Sequence, residues 1–370
     1  MMIQTLYIDR AIADHPLCRQ IQSRLGVEAE IAESAEEVYH AVAASPDPVA
    51  EGKKTLFLTR NKGAFIRPCP GTSYYTCCNY MILHIGTFCS MDCAYCILQS
   101  YFHPPLLQYY VNQEEMNAAL DEVFSQKKIR RIGTGEFTDS LIWEELDPIG
   151  EKLVQKFAGQ DQAIVELKTK TVAVDHLLPL AHNRKTIMAW SLNTERVIAE
   201  QERGTTSLVA RLRAAARCQA NGYPLAFHFD PLLIYSGCED EYEAVLDRLF
   251  RCVDPAGIVW ISLGSLRFMP GLKPVIEHRF PKSKMVYGEF IKGMDGKLRY
   301  FKPLRLALYR RLTDRIRQAA PGTTAYFCME DGEAWQHAFG FLPSEKGGLP
   351  AMLDSAAIKH CGLRKNSAGT

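Results

Sequence analysis

Three cysteines within eight residues, Cys89-Ser-Met-Asp-Cys93-Ala-Tyr-Cys96, are the part of this chain best equipped for chemistry. The spacing C-x3-C-x2-C brings three thiolates into one tight loop. Cysteine thiolates hold [4Fe–4S] clusters, and three ligands leave the fourth iron with an open position. An open iron of that kind is what S-adenosylmethionine (SAM) needs before reductive cleavage, because its amino and carboxylate groups bind there. Zinc is the rival occupant, although its structural sites close with four protein ligands, commonly arranged as C-x2-C pairs. Buried thiols with no ligand are the remaining reading.

Other reactive side chains fall at regular intervals after short apolar runs. Such runs begin near Met81, Ile129, Ala163, Thr186, Tyr223 and Gly257. Amphipathic stretches separate them, among them Gln113 to Lys127, Glu145 to Phe157, Ser207 to Ala220 and Glu239 to Arg251. Six βα units of this kind predict a parallel sheet with right-handed crossovers. The first strand leads into the cysteines, and the second ends in Gly133-Thr134-Gly135-Glu136. The others end in Lys168-Thr-Lys170, Ser191-Leu-Asn193-Thr194, His228-Phe-Asp230-Pro and Ser262 to Arg267. Reactive groups of an α/β barrel gather at the C-terminal mouth of its strands. His228 and Asp230 alternate with Phe227 and Phe229, so both polar groups share one face. A substrate-facing acid/base pair and a structural pair, with the aspartate satisfying the histidine, both fit.

Residues 1–65 read as a small N-terminal α/β unit, with strands at Leu6 to Ile8 and Thr55 to Leu58 and helices at Pro16 to Leu25 and Ala35 to Ala44. Residues 66–268 carry the barrel pattern, and 269–370 form a C-terminal extension whose last residues, from Arg364, read as a frayed tail. The chain of 370 residues has a net charge of +1, so any affinity for nucleic acid must come from a local patch. Twelve cysteines spread over this length, with no secretory leader, indicate a reducing cytoplasm. No apolar run approaches a membrane span.

The chain resembles the spore photoproduct lyase family of radical SAM enzymes, from about Lys53 to Arg317. The resemblance is carried by Lys62-Gly-Ala-Phe, Cys69-Pro-Gly-Thr72, Cys77-Cys78, Cys89 through Gln99, Trp190-Ser-Leu-Asn-Thr194 and Phe227 to Pro231. It implies a partial TIM-type (β/α)6 barrel, a [4Fe–4S] cluster, SAM, and reversal of a thymine lesion in DNA by a 5′-deoxyadenosyl radical. It makes Cys89, Cys93 and Cys96 the cluster ligands and sets Tyr95 against the adenine of SAM. It gives Gly133, Thr134, Gly135 and Glu136 to the SAM amino group, and Lys170, Ser191 and Asn193 to the SAM contacts nearby. For Lys170 and Ser191, a solvated lysine and a capping serine stand as alternatives. An electron donor such as flavodoxin or ferredoxin is the implied partner.

The match breaks at two positions. The lyases carry a hydrogen-donating cysteine where this chain has Glu136, and a tyrosine where it has Ile97. Three explanations stand: a thiol among Cys69, Cys77 and Cys78 reaches the site; hydrogen returns from 5′-deoxyadenosine or SAM is consumed; or the substrate differs. The last is preferred, with DNA or a DNA-derived lesion as the leading class. A radical SAM enzyme of a non-nucleic-acid substrate and a non-catalytic, metal-bearing nucleic-acid-binding protein are the alternatives. DNA is favoured by Pro281 to Arg317, where eleven Lys/Arg against three acids make a local excess of +8. Its first half predicts a hairpin, Met285 to Ile291 and Lys297 to Lys302 about a Gly-Met-Asp-Gly turn. Lys297, Arg299 and Lys302 interleave there with Tyr300 and Phe301, cations for phosphate and aromatics for an unstacked base. Its second half predicts a helix with Leu304, Leu308, Leu312 and Ile316 on its apolar stripe, whose arginines equally suit a solvated face.

Overall fold

Apolar runs long enough to be buried on both faces build the central sheet. In the computed structural model, which describes residues 2–364 apart from 73 and 127, seven parallel strands follow one another in chain order. They are β1 (Met81–Leu83), β2 (Arg130–Gly133), β3 (Ala163–Thr169), β4 (Thr186–Ser191), β5 (Leu225–Leu232), β6 (Ile258–Ser265) and β7 (Thr324–Phe327). Every neighbouring pair is parallel, from β1 against β2 to β6 against β7. Every residue of β4 and β6 is buried, as expected for inner strands of a parallel sheet set between helical covers and a filled barrel interior. Those covers include Gln113–Ser125, Ile149–Ala158, Leu208–Ala220 and Cys238–Cys252. The result is a curled half-barrel of α/β type. All six expected strands are present, whereas β7 went unread because four residues, only half of them buried, carry little pattern of their own.

The N-terminal unit supplies the strands Thr5–Asp9, Ala29–Ala32 and Thr55–Thr59 and the helices Pro16–Leu25 and Ala35–Ala43. Its sheet is completed by Leu107–Tyr110 and Gly86–Thr87, which leave the barrel portion of the chain to join it. Leu6, Ile8, Leu56 and Leu58 share one core with Trp143, Trp190 and Phe227, so the unit is welded to the half-barrel through apolar burial.

Beyond β6, Arg267–Phe268, Phe290–Lys292 and Leu298–Tyr300 form a small antiparallel sheet. The helix Lys302–Ala319 follows. Leu308, Leu312 and Ile316 are buried on it as expected, but Leu304 is half exposed and Arg305, Tyr309 and Thr313 complete the buried stripe instead. Arg305 tolerates burial because Glu330 neutralises it. Among the described residues no helix is long and apolar enough to cross a membrane. The expected tail beyond Arg364, and Lys127 at the end of a predicted helix, lie outside the described residues.

Candidate active site at the strand mouth

The cysteine loop follows β1 and is clamped from several directions. Phe88, just before the first cysteine, holds φ at 67°, a left-handed conformation that a bulky side chain adopts only under tertiary constraint. Lys53, from the N-terminal unit, lies over the Phe88 ring and donates to the carbonyls of Cys89, at 2.9 Å, and Met91. Gln99 donates to the carbonyls of Cys93 and Ala94 at 3.1 Å each. Arg279, from the C-terminal extension, grips Asp92 at 2.9 Å and Asp47 at 3.1 Å and also meets Gln99. Asp92–Cys93 pairs as a short antiparallel strand with Glu202–Arg203. Three distant segments therefore hold one loop. Burial pushes the Cys89 thiol up to about 12 and Cys93 well above its usual range, so metal binding there releases protons. No three His, Cys, Asp or Glu side chains among the described residues converge as a single-ion site requires. Cysteines spaced along a loop suit a polynuclear cluster that takes each sulfur on a different iron.

Tyr95 is buried behind this loop and its hydroxyl donates to Glu202. Glu202 is also bound by Arg211 at 2.6 Å, in an ion pair withdrawn from solvent on both sides. Burial raises the Glu202 carboxyl, but Lys170, Arg211 and Tyr95 outweigh it and leave it below the usual carboxylate range. The Lys170 ammonium stands 5.8 Å from the Tyr95 ring centroid and makes no ion pair among the described residues. Asp139 fixes the Lys170 backbone by accepting its N–H at 2.8 Å, and accepts the Thr169 hydroxyl at 2.7 Å. The Ser191 carbonyl accepts from Arg211 at 2.9 Å. Asn193 is spent on the scaffold, donating to the Pro231 carbonyl and accepting from Tyr242. Thr134 is likewise committed, 2.7 Å from Ser140. Gly133 is required by packing, since a Cβ there would meet the Tyr80 hydroxyl at 1.6 Å. Gly135 backs onto Lys168, and Glu136 is ion-paired with that same lysine.

His228 and Asp230 do not pair with each other. His228 Nδ1 is 2.9 Å from the Ser262 hydroxyl, and Nε2 lies at ion-pair distance, 3.0 Å, from Glu166. Glu166 also accepts from Trp260 at 2.8 Å, and Tyr80 adds a long 3.4 Å contact. Burial raises this carboxyl, yet His228, Lys168 and Trp260 bring it below the usual range. Asp230 is held in a two-pronged bond by Arg267, at 3.0 and 2.9 Å. Glu166 was the partner missed from the sequence; its signal was a lone acid inside the apolar run Ala163-Ile-Val-Glu-Leu.

The hairpin differs from its sequence reading. Arg299 and Tyr300 are buried, Arg299 binding Asp295 at 2.8 Å and lying over the Tyr75 ring. Lys297 sits 3.5 Å from Asp295, and Lys302 meets both Asp331 and Glu333. Farther along, Arg305, Arg310, Arg311, Arg315 and Arg317 each meet a carboxylate. The local excess of cations is thus largely neutralised by acids from other segments. Lys282, Lys284 and Lys292 are exposed without an ion pair among the described residues, beside exposed Tyr287, Ile291, Met294 and Phe301.

Known proteins are similar to this chain in sequence and in fold. The spore photoproduct lyase of Bacillus subtilis (strain 168) is 27% identical over 296 residues, 77% of this chain and 84% of that protein. The spore photoproduct lyase of Geobacillus sp. (strain Y412MC61) is 31% identical over 206 residues, 54% of this chain and 60% of that protein. A solved spore photoproduct lyase variant with bound AdoMet and dinucleoside spore photoproduct superposes with a TM-score of 0.78 at 24% identity, covering 88% of this chain and 99% of that one. The family "Spore photoproduct lyase" matches residues 2–304, and the chain belongs to this family of radical SAM lyases.

Proposed function

We propose that the cysteine loop holds a [4Fe–4S] cluster with SAM on its open iron, and that the enzyme acts on a DNA lesion or modified nucleobase. The observation that carries this reading is the loop itself: three cysteines in a segment whose carbonyls are held by Lys53 and Gln99 and whose Asp92 carboxylate is held by Arg279. When bound and reduced, that pair supplies reductive cleavage of SAM to methionine and a 5′-deoxyadenosyl radical. Cys89, Cys93 and Cys96 would ligate the cluster. The unpaired ammonium of Lys170, whose backbone Asp139 holds, suits the SAM carboxylate, and buried Tyr95 offers an aromatic wall to adenine. A ferredoxin- or flavodoxin-type protein would supply the electron.

On the substrate side, Asp230, Arg267 and the Glu136–Lys168 pair line the strand ends. The exposed apolar edge of the hairpin, Tyr287, Ile291, Met294 and Phe301, with Lys282, Lys284 and Lys292, is the better nucleic-acid surface than the committed Arg299 and Tyr300. Glu136 stands where the resemblance expects a hydrogen-donating cysteine, and its carboxylate is taken up by Lys168, so the last hydrogen transfer must come from elsewhere. Anaerobic reconstitution followed by dithionite and SAM tests the core of the proposal. Iron and sulfide should load stoichiometrically and 5′-deoxyadenosine should form. Replacing any of Cys89, Cys93 or Cys96 by Ala should abolish both. A chain that stays iron-free, or that binds zinc and leaves SAM intact, refutes it. SAM turnover with lesion-containing DNA deuterated at candidate carbons then identifies the abstraction site by label in 5′-deoxyadenosine.

A further inference from the structure

A carbon radical left on a substrate after hydrogen abstraction closes by taking a hydrogen atom, and the S–H bond is the weakest that a protein side chain offers. Apart from the three cysteines of the loop, Cys69, Cys77, Cys78 and Cys328 surround one small cavity. The first three come from the segment between Ile66–Pro68 and β1, the fourth from the residue after β7. These are the two edges of the curled sheet. They are tied across the gap by the Thr76 N–H, which donates to the Glu330 carbonyl at 3.1 Å. The remaining cysteines, Cys18, Cys218, Cys238, Cys252 and Cys361, lie on helices outside this group.

Cys69 shares with Cys328 the electrostatic reach of Glu136 and Lys168, and Cys328 is set apart by its bond to Arg267 at the strand mouth. Its N–H extends the β7 ladder to Leu263 at 3.0 Å, and its sulfur accepts from Arg267 at 3.3 Å. The same guanidinium holds Asp230 at the end of β5, and Cys328 lies within electrostatic reach of Glu136 and Lys168 at the ends of β2 and β3. A donor of hydrogen atoms must keep its proton, since a thiolate has none to give. Burial, helped by Asp230 and Glu136, pushes the Cys328 thiol up to about 12. Cys77 is drawn down to about 6 by its bond with Cys78, which makes it a thiolate near neutral pH and unsuited to the task.

We infer that Cys328 returns the hydrogen atom to the substrate radical, an inference that rests on the radical function proposed above. In that step the Cys328 S–H bond breaks homolytically, a C–H bond forms on the substrate, and a thiyl radical remains on sulfur. One electron from the ferredoxin- or flavodoxin-class donor and one proton from solvent then restore the thiol.

The test is SAM cleavage in D2O by the cluster-loaded chain with dithionite and no nucleic acid, where the radical derived from SAM closes on the nearest exchangeable S–D. Wild type should give 5′-deoxyadenosine carrying one deuterium. Cys328→Ala and the closer-sized Cys328→Ser should lose about fivefold or more of that label while cleaving SAM within about twofold of the wild-type rate. Cys77→Ala should keep the label. A second readout needs no variant: a nitrone spin trap present during wild-type turnover should leave its adduct on the peptide containing Cys328. Label that survives Cys328 replacement, or adducts confined to Cys69, Cys77 or Cys78, overturns the assignment. Absence of 5′-deoxyadenosine from wild type is a separate result, which overturns the radical function and this inference with it.

Discussion

Replacing Lys53 by Met should detach cluster binding from folding. The methionine keeps the apolar stem against Phe88 but removes the donors to the Cys89 and Met91 carbonyls. Hydrogen bonds to charged groups contribute about 1.5–3 kcal/mol each. Partial rehydration of the freed carbonyls leaves a net loss near 3 kcal/mol in the ordering of the loop, roughly a hundredfold in the ratio of closed to open forms. Arg279 and Gln99 still hold the far end of the loop, so the global fold should persist. Apparent affinity falls with the fraction of molecules in the competent conformation. Cluster loss to a chelator should therefore accelerate by about the same hundredfold if opening precedes release. The assay is anaerobic reconstitution, iron and sulfide determination, and bleaching of the cluster's visible absorbance under chelator, with the urea midpoint as a folding control. Lys53→Arg, which can still donate, should recover most of the resistance. A Lys53→Met chain that bleaches at the wild-type rate would refute the idea that this lysine preorganises the ligand loop.

Arg211→Met should destabilise the protein by about 3–5 kcal/mol, because it strands the buried Glu202 carboxylate; urea unfolding followed by near-ultraviolet circular dichroism measures the loss, and an unchanged midpoint refutes it. Glu166 and Glu202 both have carboxyls held below their usual range, so the stability they add is present above the unfolded carboxyl pKa and is lost as pH falls below about 4. Acid titration of the wild type against Glu202→Gln should show a smaller pH slope in the variant; equal slopes would be inconsistent with that assignment. Alanine at Lys282, Lys284 and Lys292 together should weaken binding to DNA and reduce the salt slope of log K by about 2–3, measured by fluorescence anisotropy. Lys302→Ala should leave that slope nearly unchanged, because Asp331 and Glu333 already neutralise the lysine.

The cluster loop was legible because its chemistry is local: three sulfurs in eight residues need no distant partner to be noticed. The six strands were legible because doubly buried parallel strands are written as continuous apolar runs, as in Ile187-Met-Ala-Trp190. What escaped was partner choice across long separations. His228 was read against Asp230, two residues away, yet it meets Glu166 from β3, two strands across the sheet, while Asp230 turns to Arg267. The basic hairpin misled for the same reason. Charge summed along a segment ignores acids that arrive from elsewhere, here Asp331 and Glu333 on Lys302 and Asp240 and Glu243 on Arg311. Gly133 and Thr134, read as a ligand cradle, owe their identity at least in part to Tyr80 and Ser140.

These long-range partners also give the N-terminal unit a role that its own sequence lacks. It carries no reactive constellation, but Lys53 and Asp47 come from it, and both converge on the cysteine loop, the first directly and the second through Arg279. Arg279 in turn belongs to the helix Leu272–Arg279, after β6. A loop held by its own neighbours would be ordered whenever β1 formed. This one also takes bonds from the unit before the barrel and from the extension after it. Competence to take up a cluster is thereby coupled to completion of the fold, and a partly folded chain would present its thiols in no fixed geometry. The same logic applies at the opposite seam, where Cys328 reaches the strand mouth only once β7 has closed onto β6. Each end of the proposed radical path rests in part on an element after β6, the site where it would start on the helix Leu272–Arg279 and the thiol that would end it on β7.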